Sequence, residues 1–328
     1  MTKKQFAFTI AKIGFALLVL TWLLHKVNAA RVWHNVRNAE PLPVIAGVLL
    51  CWLTVLIAGV RWHRLLEVFG IGVPLRSLVC ITQIGQFFLM FLPGPAGDDL
   101  TRMLYVSRLS KGHVGEACTS VLLDRCIGLA SILFMALLCI PWQWQLLAVS
   151  QKTWWLGMAI ASAGGAAFVA ALLYFAVDGA VMQRLAEKGL RLLPASGIRE
   201  ELFRISSRIF NSKLAIAKVL GIAVGTQFIL CALYWLAGRS VGIHAPMAIW
   251  LNIAPLLLAA NAVPVTVAGI GVREYLLILF LGRLAHVESE QALAASFIAF
   301  SMMLANSVLG GIVYIFYRTR NEAGTTHQ

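Results

Sequence analysis

Leu92-Pro93-Gly94-Pro95-Ala96-Gly97-Asp98-Asp99, followed by Arg102, interrupts apolar sequence with helix breakers and then charges. Val263-Pro264-Val265-Thr266-Val267-Ala268-Gly269-Ile270-Gly271, followed by Arg273-Glu274, does the same near the other end of the chain. Pro93 and Pro264 lie 171 positions apart. Backbone broken inside a bilayer leaves its amides unsatisfied unless protein or a polar cavity shields them. Two related breaks point to a duplicated transport unit with its site where they meet.

The surrounding composition places these breaks in a membrane. Of 328 residues, 60% are hydrophobic and 12% charged, with a mean hydropathy of +0.82. This excludes a soluble domain and indicates an integral membrane protein. Lys and Arg exceed Asp and Glu by 27 to 14. In apolar sequence that excess reads as a bias of cytoplasmic loops; no nucleic-acid motif accompanies it. The longest polar stretch, 178–213, is too short for a sizeable soluble catalytic domain. The six cysteines lie in apolar segments with no C-x-x-C pair, and read as small buried hydrophobes. The seven histidines show no ligand spacing. No metal, cofactor or catalytic residue is expected.

Apolar segments at 10–27, 43–60, 115–140, 154–177, 214–238 and 291–317 are each long enough to cross a ~30 Å hydrocarbon core. Lys3 and Lys4 before the first, and Val27-Asn28-Ala29 after it, resemble a signal peptide. The run is long enough to span and the repeat needs it, so it is read as a span. Residues 77–109 and 247–284 are different. Each holds two apolar pieces too short to span comfortably, and each reads as a re-entrant helical hairpin. The alternative is a pair of short tilted spans. The fold class is therefore all-α and polytopic, with six spans and two re-entrant hairpins. Residues 1–177 hold the first repeat and the start of the second. Residues 178–213 form a connector, and 214–328 the rest of the second repeat. Pro43 and Leu214, which open matching spans, are again 171 apart. Three spans per half invert the second half relative to the first.

Charge fixes an orientation. With the N-terminus in the cytoplasm, most of the 27 basic residues fall on cytoplasmic segments, among them Arg61, Arg64, Arg76 and the run from Arg184 to Lys213. Both termini are then cytoplasmic, and the hairpins enter from opposite faces. Within the connector, Leu202, Ile205, Ile209 and Phe210 lie opposite Glu201, Arg204 and Arg208, as in an interfacial amphipathic helix. Trp33, Trp62, Trp142, Trp144, Trp154 and Trp155 sit at segment ends, where an aromatic belt belongs.

Asp124 and Arg125 lie about 15 Å along the span that starts near Gly115. Charges at that depth face protein or water. Neighbours on a helix point apart, so each needs a partner elsewhere, with Asp98, Asp99 and Arg102 the nearest candidates. Such a network could simply pin the hairpin. Asp98 suits a helix N-terminus as a cap, but two adjacent acids exceed what a cap needs and permit proton binding or contact with a cationic group. Gly269 and Gly271 let backbone approach a ligand closely. Free amides there, with Arg273, would hold an anion such as phosphate. Gln83, Gln86, Asn252, Asn261, Ser301, Asn306 and Ser307 add polar groups suited to hydrogen bonding between helices.

Pro93, Gly94, Gly97, Asp98 and Arg102, then Leu123-Asp124-Arg125 and Gly128-Leu129, then Pro264, Gly269, Gly271, Arg273 and Glu274 together resemble a known pattern. It is that of the flippase-like membrane domain of the lysylphosphatidylglycerol synthase family, the membrane region of the multiple peptide resistance factor. The resemblance covers most of the chain and implies a polytopic lipid translocase of the bacterial cytoplasmic membrane. No synthase domain follows, so aminoacyl transfer to lipid is expected to be absent. Pro95 and Asp99 depart from the pattern.

The expected function is translocation of a phosphate-bearing lipid headgroup through a polar cavity between the hairpins. Arg102, Arg125, Arg273, Gly269 and Gly271 would bind the substrate. Asp98, Asp99, Asp124 and Glu274 would balance charge or carry a coupling proton, and Pro93, Gly94, Gly97 and Pro264 would form the breaks. The partner is a membrane phospholipid or another lipid-linked phosphate, and homo-oligomerisation is left open. The alternatives are a membrane enzyme acting on lipid-linked phosphate or sugar, with Asp98-Asp99 holding Mg²⁺, and a non-transporting accessory subunit of a lipid-modifying complex.

Overall fold

The computed structural model describes residues 28–91, 96–110, 113–147, 151–190, 196–262 and 271–325. The chain runs from α1 (Ala29–Arg37) into α2 (Pro41–Val68), a short pair α3 (Leu75–Phe91) and α4 (Ala96–Leu109), then α5 (Val114–Leu147) and α6 (Gln151–Ala176). Two further helices, α7 (Gly179–Leu190) and α8 (Ser196–Asn211), lead to α9 (Lys213–Ser240). A second short pair, α10 (Met247–Ala262) and α11 (Val272–Leu284), precedes α12 (Ser289–Thr325). The described residues contain no strand.

Five stretches are long and apolar enough to cross a membrane: Pro41–Val68, Val114–Ile140, Gly157–Ala176, Lys213–Ser240 and Ser289–Tyr317. They correspond to five of the six spans read from the sequence. The sixth, 10–27, lies outside the described residues, as do the breaks at 92–95 and 263–270. Apolar runs this long become helices because a helix satisfies every interior amide within itself. Pro41 and Pro43 occupy the first turn of α2, where an N–H has no intrahelical acceptor.

Both α2 and α9 end in the same way. Gly70 and Gly242 take positive φ, +69° and +80°, a conformation that glycine adopts without a Cβ penalty. Gly70 N–H donates to Glu67 O at 3.0 Å and Ile71 N–H to Leu66 O at 3.0 Å. Gly242 N–H donates to Arg239 O at 3.1 Å and Ile243 N–H to Gly238 O at 2.9 Å. Ile71 and Ile243 are buried. Pro74 and Pro246 then launch α3 and α10. The underlying sequences are Gly70-Ile71-Gly72-Val73-Pro74 and Gly242-Ile243-His244-Ala245-Pro246.

Packing follows a two-sided plan. Helices α2 and α9 pack against each other. Helix α3 packs on α2, α4 and α12, and α10 packs on α9, α11 and α5. Gly310 and Gly311 bring α12 against Gln83 and Phe87 of α3, where a Cβ would collide with the Gln83 carbonyl. There Gln83 Nε2 donates to Asn306 O at 2.8 Å, and Ser307 Oγ to Gln86 O at 3.2 Å. These are the helix-to-helix hydrogen bonds expected of polar groups at membrane depth. Asn252 instead donates to Ala248 O within its own helix. Cys126 is exposed, unlike the buried Cys51, Cys139 and Cys231.

Two readings change. Trp62 is fully buried rather than part of a surface belt, because α2 continues to Val68 and turns Trp62, Leu65, Leu66 and Phe69 inward. Trp33 and Trp155 are exposed, 67% and 65%. The second change concerns the connector. Ile205 of α8 is buried against a core that includes Trp62, Leu66 and Phe69. Arg204 pairs with Glu116 at 3.0 Å, and Arg208 donates to the Phe69 carbonyl. The basic face assigned to lipid headgroups is thus partly spent on holding α8 to the body of the protein.

Candidate functional site

Asp124, on α5, is the hub of a buried charge cluster. Its carboxylate accepts from Arg61 twice, Nε to Oδ1 at 2.6 Å and Nη2 to Oδ2 at 3.0 Å, and from Arg102 Nη1 to Oδ2 at 2.8 Å. Arg102, on α4, also lies 3.2 Å from Asp98 Oδ1 through Nε and donates to Thr82 Oγ1 at 3.3 Å. Its guanidinium stacks over Trp62, 5.1 Å from the ring centroid. Trp62 Nε1 in turn donates to Ser120 Oγ at 3.0 Å. Asp98, Arg102 and Asp124 are all buried.

Local sequence makes room for this. Asp98 and Asp99 occupy the first turn of α4, where the helix dipole favours carboxylates. Gly85 of α3 faces Asp98, and any Cβ there would run into its carboxylate. Gly97 lets the start of α4 approach the Phe88 carbonyl, again with no space for a Cβ. Farther out, Arg125 Nε lies 3.7 Å from Asp99 Oδ2, with side chains 34% and 22% exposed. Three carboxylates therefore meet three guanidiniums, and the cluster is neutral as a whole. An isolated charge at this depth would cost several kcal/mol in lost solvation; pairing offsets that cost.

The second cluster is smaller and tighter. Gly271 is the N-cap of α11, with φ +96°. Glu274 reaches back to accept the Gly271 N–H at 2.5 Å on Oε2, the glutamate arm of a capping box. Its Oε1 accepts from Ser296 Oγ at 2.9 Å and from both Nε, at 3.0 Å, and Nη2 of Arg273. Arg273 Nε also donates to Ser296 Oγ at 2.9 Å, and its guanidinium lies over Phe300 at 5.4 Å. Arg273 and Glu274 are 2% and 1% exposed. Arg273 and the Gly271 amide, read from the sequence as free to hold an anion, are both occupied by Glu274. Adjacent residues meet here because the capping geometry folds the glutamate back over the helix end.

The clusters share a plan. Arg102 and Arg273 each lie in the opening turns of the second helix of a short pair. Each is covered by an aromatic ring, and each is held by the following long helix through Asp124 or Ser296. Gly269, Pro93, Gly94 and Pro264 lie outside the described residues. Sequence placed Arg61 in a cytoplasmic segment and Trp62 in an aromatic belt, and read neither these two nor Thr82 and Ser296 as site residues. Arg61 follows the apolar run 43–60 and reads as the start of a loop. The signal that it does not is the helical spacing of Trp62, Leu65, Leu66 and Phe69 beyond it. Among the described residues, no three His, Cys, Asp or Glu side chains converge to hold a metal ion.

Mutually neutralised charges buried among membrane-length apolar helices define a polytopic integral membrane protein with a polar interior. The chain belongs to the family described as the lysylphosphatidylglycerol synthase TM region, whose model matches residues 9–311. That is a membrane family linked to lipid handling. Among curated proteins, none matches the chain.

Proposed function

We propose that this chain is a lipid translocase rather than an enzyme, moving a phosphate-bearing lipid headgroup through a polar path between its two short helix pairs. The pairs α3–α4 and α10–α11 act as re-entrant hairpins. Their longest member, α3 with 17 residues, reaches about 25 Å, short of a ~30 Å core. The halves form an inverted repeat. Support comes from packing: exchanging α2–α5 for α9–α12 maps the contacts among these eight helices onto one another, with α2 on α9 mapping onto itself. Thus α3 on α12 becomes α10 on α5, and α2 on α3 becomes α9 on α10. The twin Gly-Ile-x-x-Pro connectors support it independently. Residues 1–177 and 214–328 hold the repeats with 178–213 between them, and positive charge favours cytoplasmic termini in a bacterial cytoplasmic membrane.

The observation that carries the reading is the Arg125–Asp99 pair. At 3.7 Å, and with both side chains partly exposed, it can exchange partners without unpairing the buried Arg102–Asp124 bridge. A lipid phosphate takes the place of Asp99 at Arg125, while Asp99 is freed to face a cationic headgroup or hold a proton. Asp98 and Asp124, with Arg61 and Arg102, keep the frame neutral. On the second hairpin, the Gly271 amide and Arg273 can hold a phosphate, beside Gly269, only when Glu274 lets go; Glu274 occupies both in this conformation. The two hairpins are then open one at a time, as alternating access requires.

The test is reconstitution into vesicles carrying a headgroup-labelled fluorescent phospholipid. Arg125→Gln should slow translocation at least tenfold with little change in thermal stability. Equal rates in wild type and Arg125→Gln would remove Arg125 from the site and leave the cluster a structural pin.

A further inference from the structure

A groove of about 990 Å³ opens between the C-terminal turns of α2 and the N-terminal turns of α9, and no residue of either charge cluster lines it. Val60, Leu214, Ala215 and Ile222 form apolar wall, and Arg64, Glu67 and Lys218 form its charged rim. Lys218 lies five residues into a membrane-length helix, about 7.5 Å from its start, and has no ionic or hydrogen-bonding partner among the described residues. A lysine there holds its ammonium at headgroup level while its stem lies along apolar surface. Across the groove, Arg64 meets Glu67 at 2.9 Å with both side chains about half exposed, and His63 lies 3.7 Å from Glu67. The rim thus carries Arg64 and Lys218 against the single carboxylate of Glu67 and keeps a net positive charge.

We propose that this groove is a lateral binding site for an anionic glycerophospholipid. Its phosphodiester sits between Lys218 and Arg64, and an acyl chain runs down the Val60–Ile222 wall. Three features fit this occupant: the surplus cation matches one phosphate, the rim lies within two turns of the helix ends, and the wall below it is apolar. Gly221 lines the groove, and a Cβ added there meets nothing within 4 Å. A larger residue there fills the groove without straining the protein. The inference does not rest on the translocase reading; the groove holds lipid whether or not the protein moves it.

The experiment is photo-crosslinking in micelles of full-length protein with a phosphatidylglycerol carrying a diazirine high on one acyl chain, mapped by peptide mass spectrometry. Labelling is expected on peptides spanning 60–68 and 212–222. Lys218→Gln with Arg64→Gln should lower it at least fivefold, and so should Gly221→Leu, which leaves every charge in place. Short-chain phosphatidylglycerol should compete, and glycerol phosphate should not. Undiminished labelling of these peptides in either variant overturns the proposal, as does competition by glycerol phosphate alone, which would make this a soluble-anion site. Arg125→Gln should leave groove labelling unchanged, so failure here and failure of the transport site are told apart.

Discussion

Replacing Asp124 by Asn removes one charge from the centre of a neutral six-member cluster while keeping the side chain's shape. Asp124 accepts three charge-assisted hydrogen bonds, at 2.6, 3.0 and 2.8 Å, each worth about 1.5–3 kcal/mol. Asn keeps one oxygen and turns an NH2 toward the guanidiniums, so at least one bond is lost. Arg61 and Arg102, with side chains 12% and 5% exposed, then share Asp98 as their nearest carboxylate. Breaking a buried pair from one side costs about 3–5 kcal/mol, and Asp124→Asn should fall in that range. Arg61→Gln added to Asp124→Asn removes the surplus cation and should recover about 2 kcal/mol as coupling. Asp99→Asn is the control: its 3.7 Å, partly exposed pair should cost about 1 kcal/mol or less. Reversible unfolding in mixed micelles, followed by tryptophan fluorescence, measures five proteins: wild type, Arg61→Gln, Asp124→Asn, the double variant and Asp99→Asn. The reasoning fails if Asp124→Asn costs no more than Asp99→Asn, or if the double variant is no better than the sum of its parts.

Three further outcomes follow from the geometry. Glu274→Gln should destabilise by about 3–5 kcal/mol in the same unfolding assay, because it leaves the buried Arg273 facing Ser296 without a carboxylate. Gly70→Ala and Gly242→Ala should each cost about 1–2 kcal/mol, since both force an L side chain into the left-handed region. A loss at Gly70 without one at Gly242 would contradict the equivalence of the two connectors. Gly310→Val should push α12 off the Gln83 carbonyl of α3 and cost about 1–3 kcal/mol through overpacking, measured in the same unfolding assay.

Helix type and five of the six apolar spans were legible because periodicity is irrelevant to a segment that is apolar all round; length alone decides it. Asp124 and Arg102 were legible as site candidates because charge is rare in such sequence. Arg61 was not, since its position after an apolar run looks identical for a loop residue and for a helix that continues. The Gly-Ile-x-x-Pro repeat at 70–74 and 242–246 was present in the sequence but is short, and its meaning comes from φ angles and two buried isoleucines. Sequence also could not show that Glu274 closes over Arg273. Adjacent residues on a regular helix point apart, and only the capped first turn brings them together.

The neutral cluster also constrains how the protein reaches the bilayer. Arg61, Asp98, Asp99 and Arg102 are synthesised before Asp124 and Arg125, on α2 and α4, and are left with two cations and two anions spread over separate helices. Until α5 arrives, Arg61 has no carboxylate within its own helix at that depth, and the hydrocarbon would refuse it. The bond from Arg61 to Asp124 therefore waits for α5, and α2 to α5 reach their buried pairing only together. A truncation ending before residue 114 would leave that pairing unfinished, and the cell's quality control would meet it as an unpaired arginine.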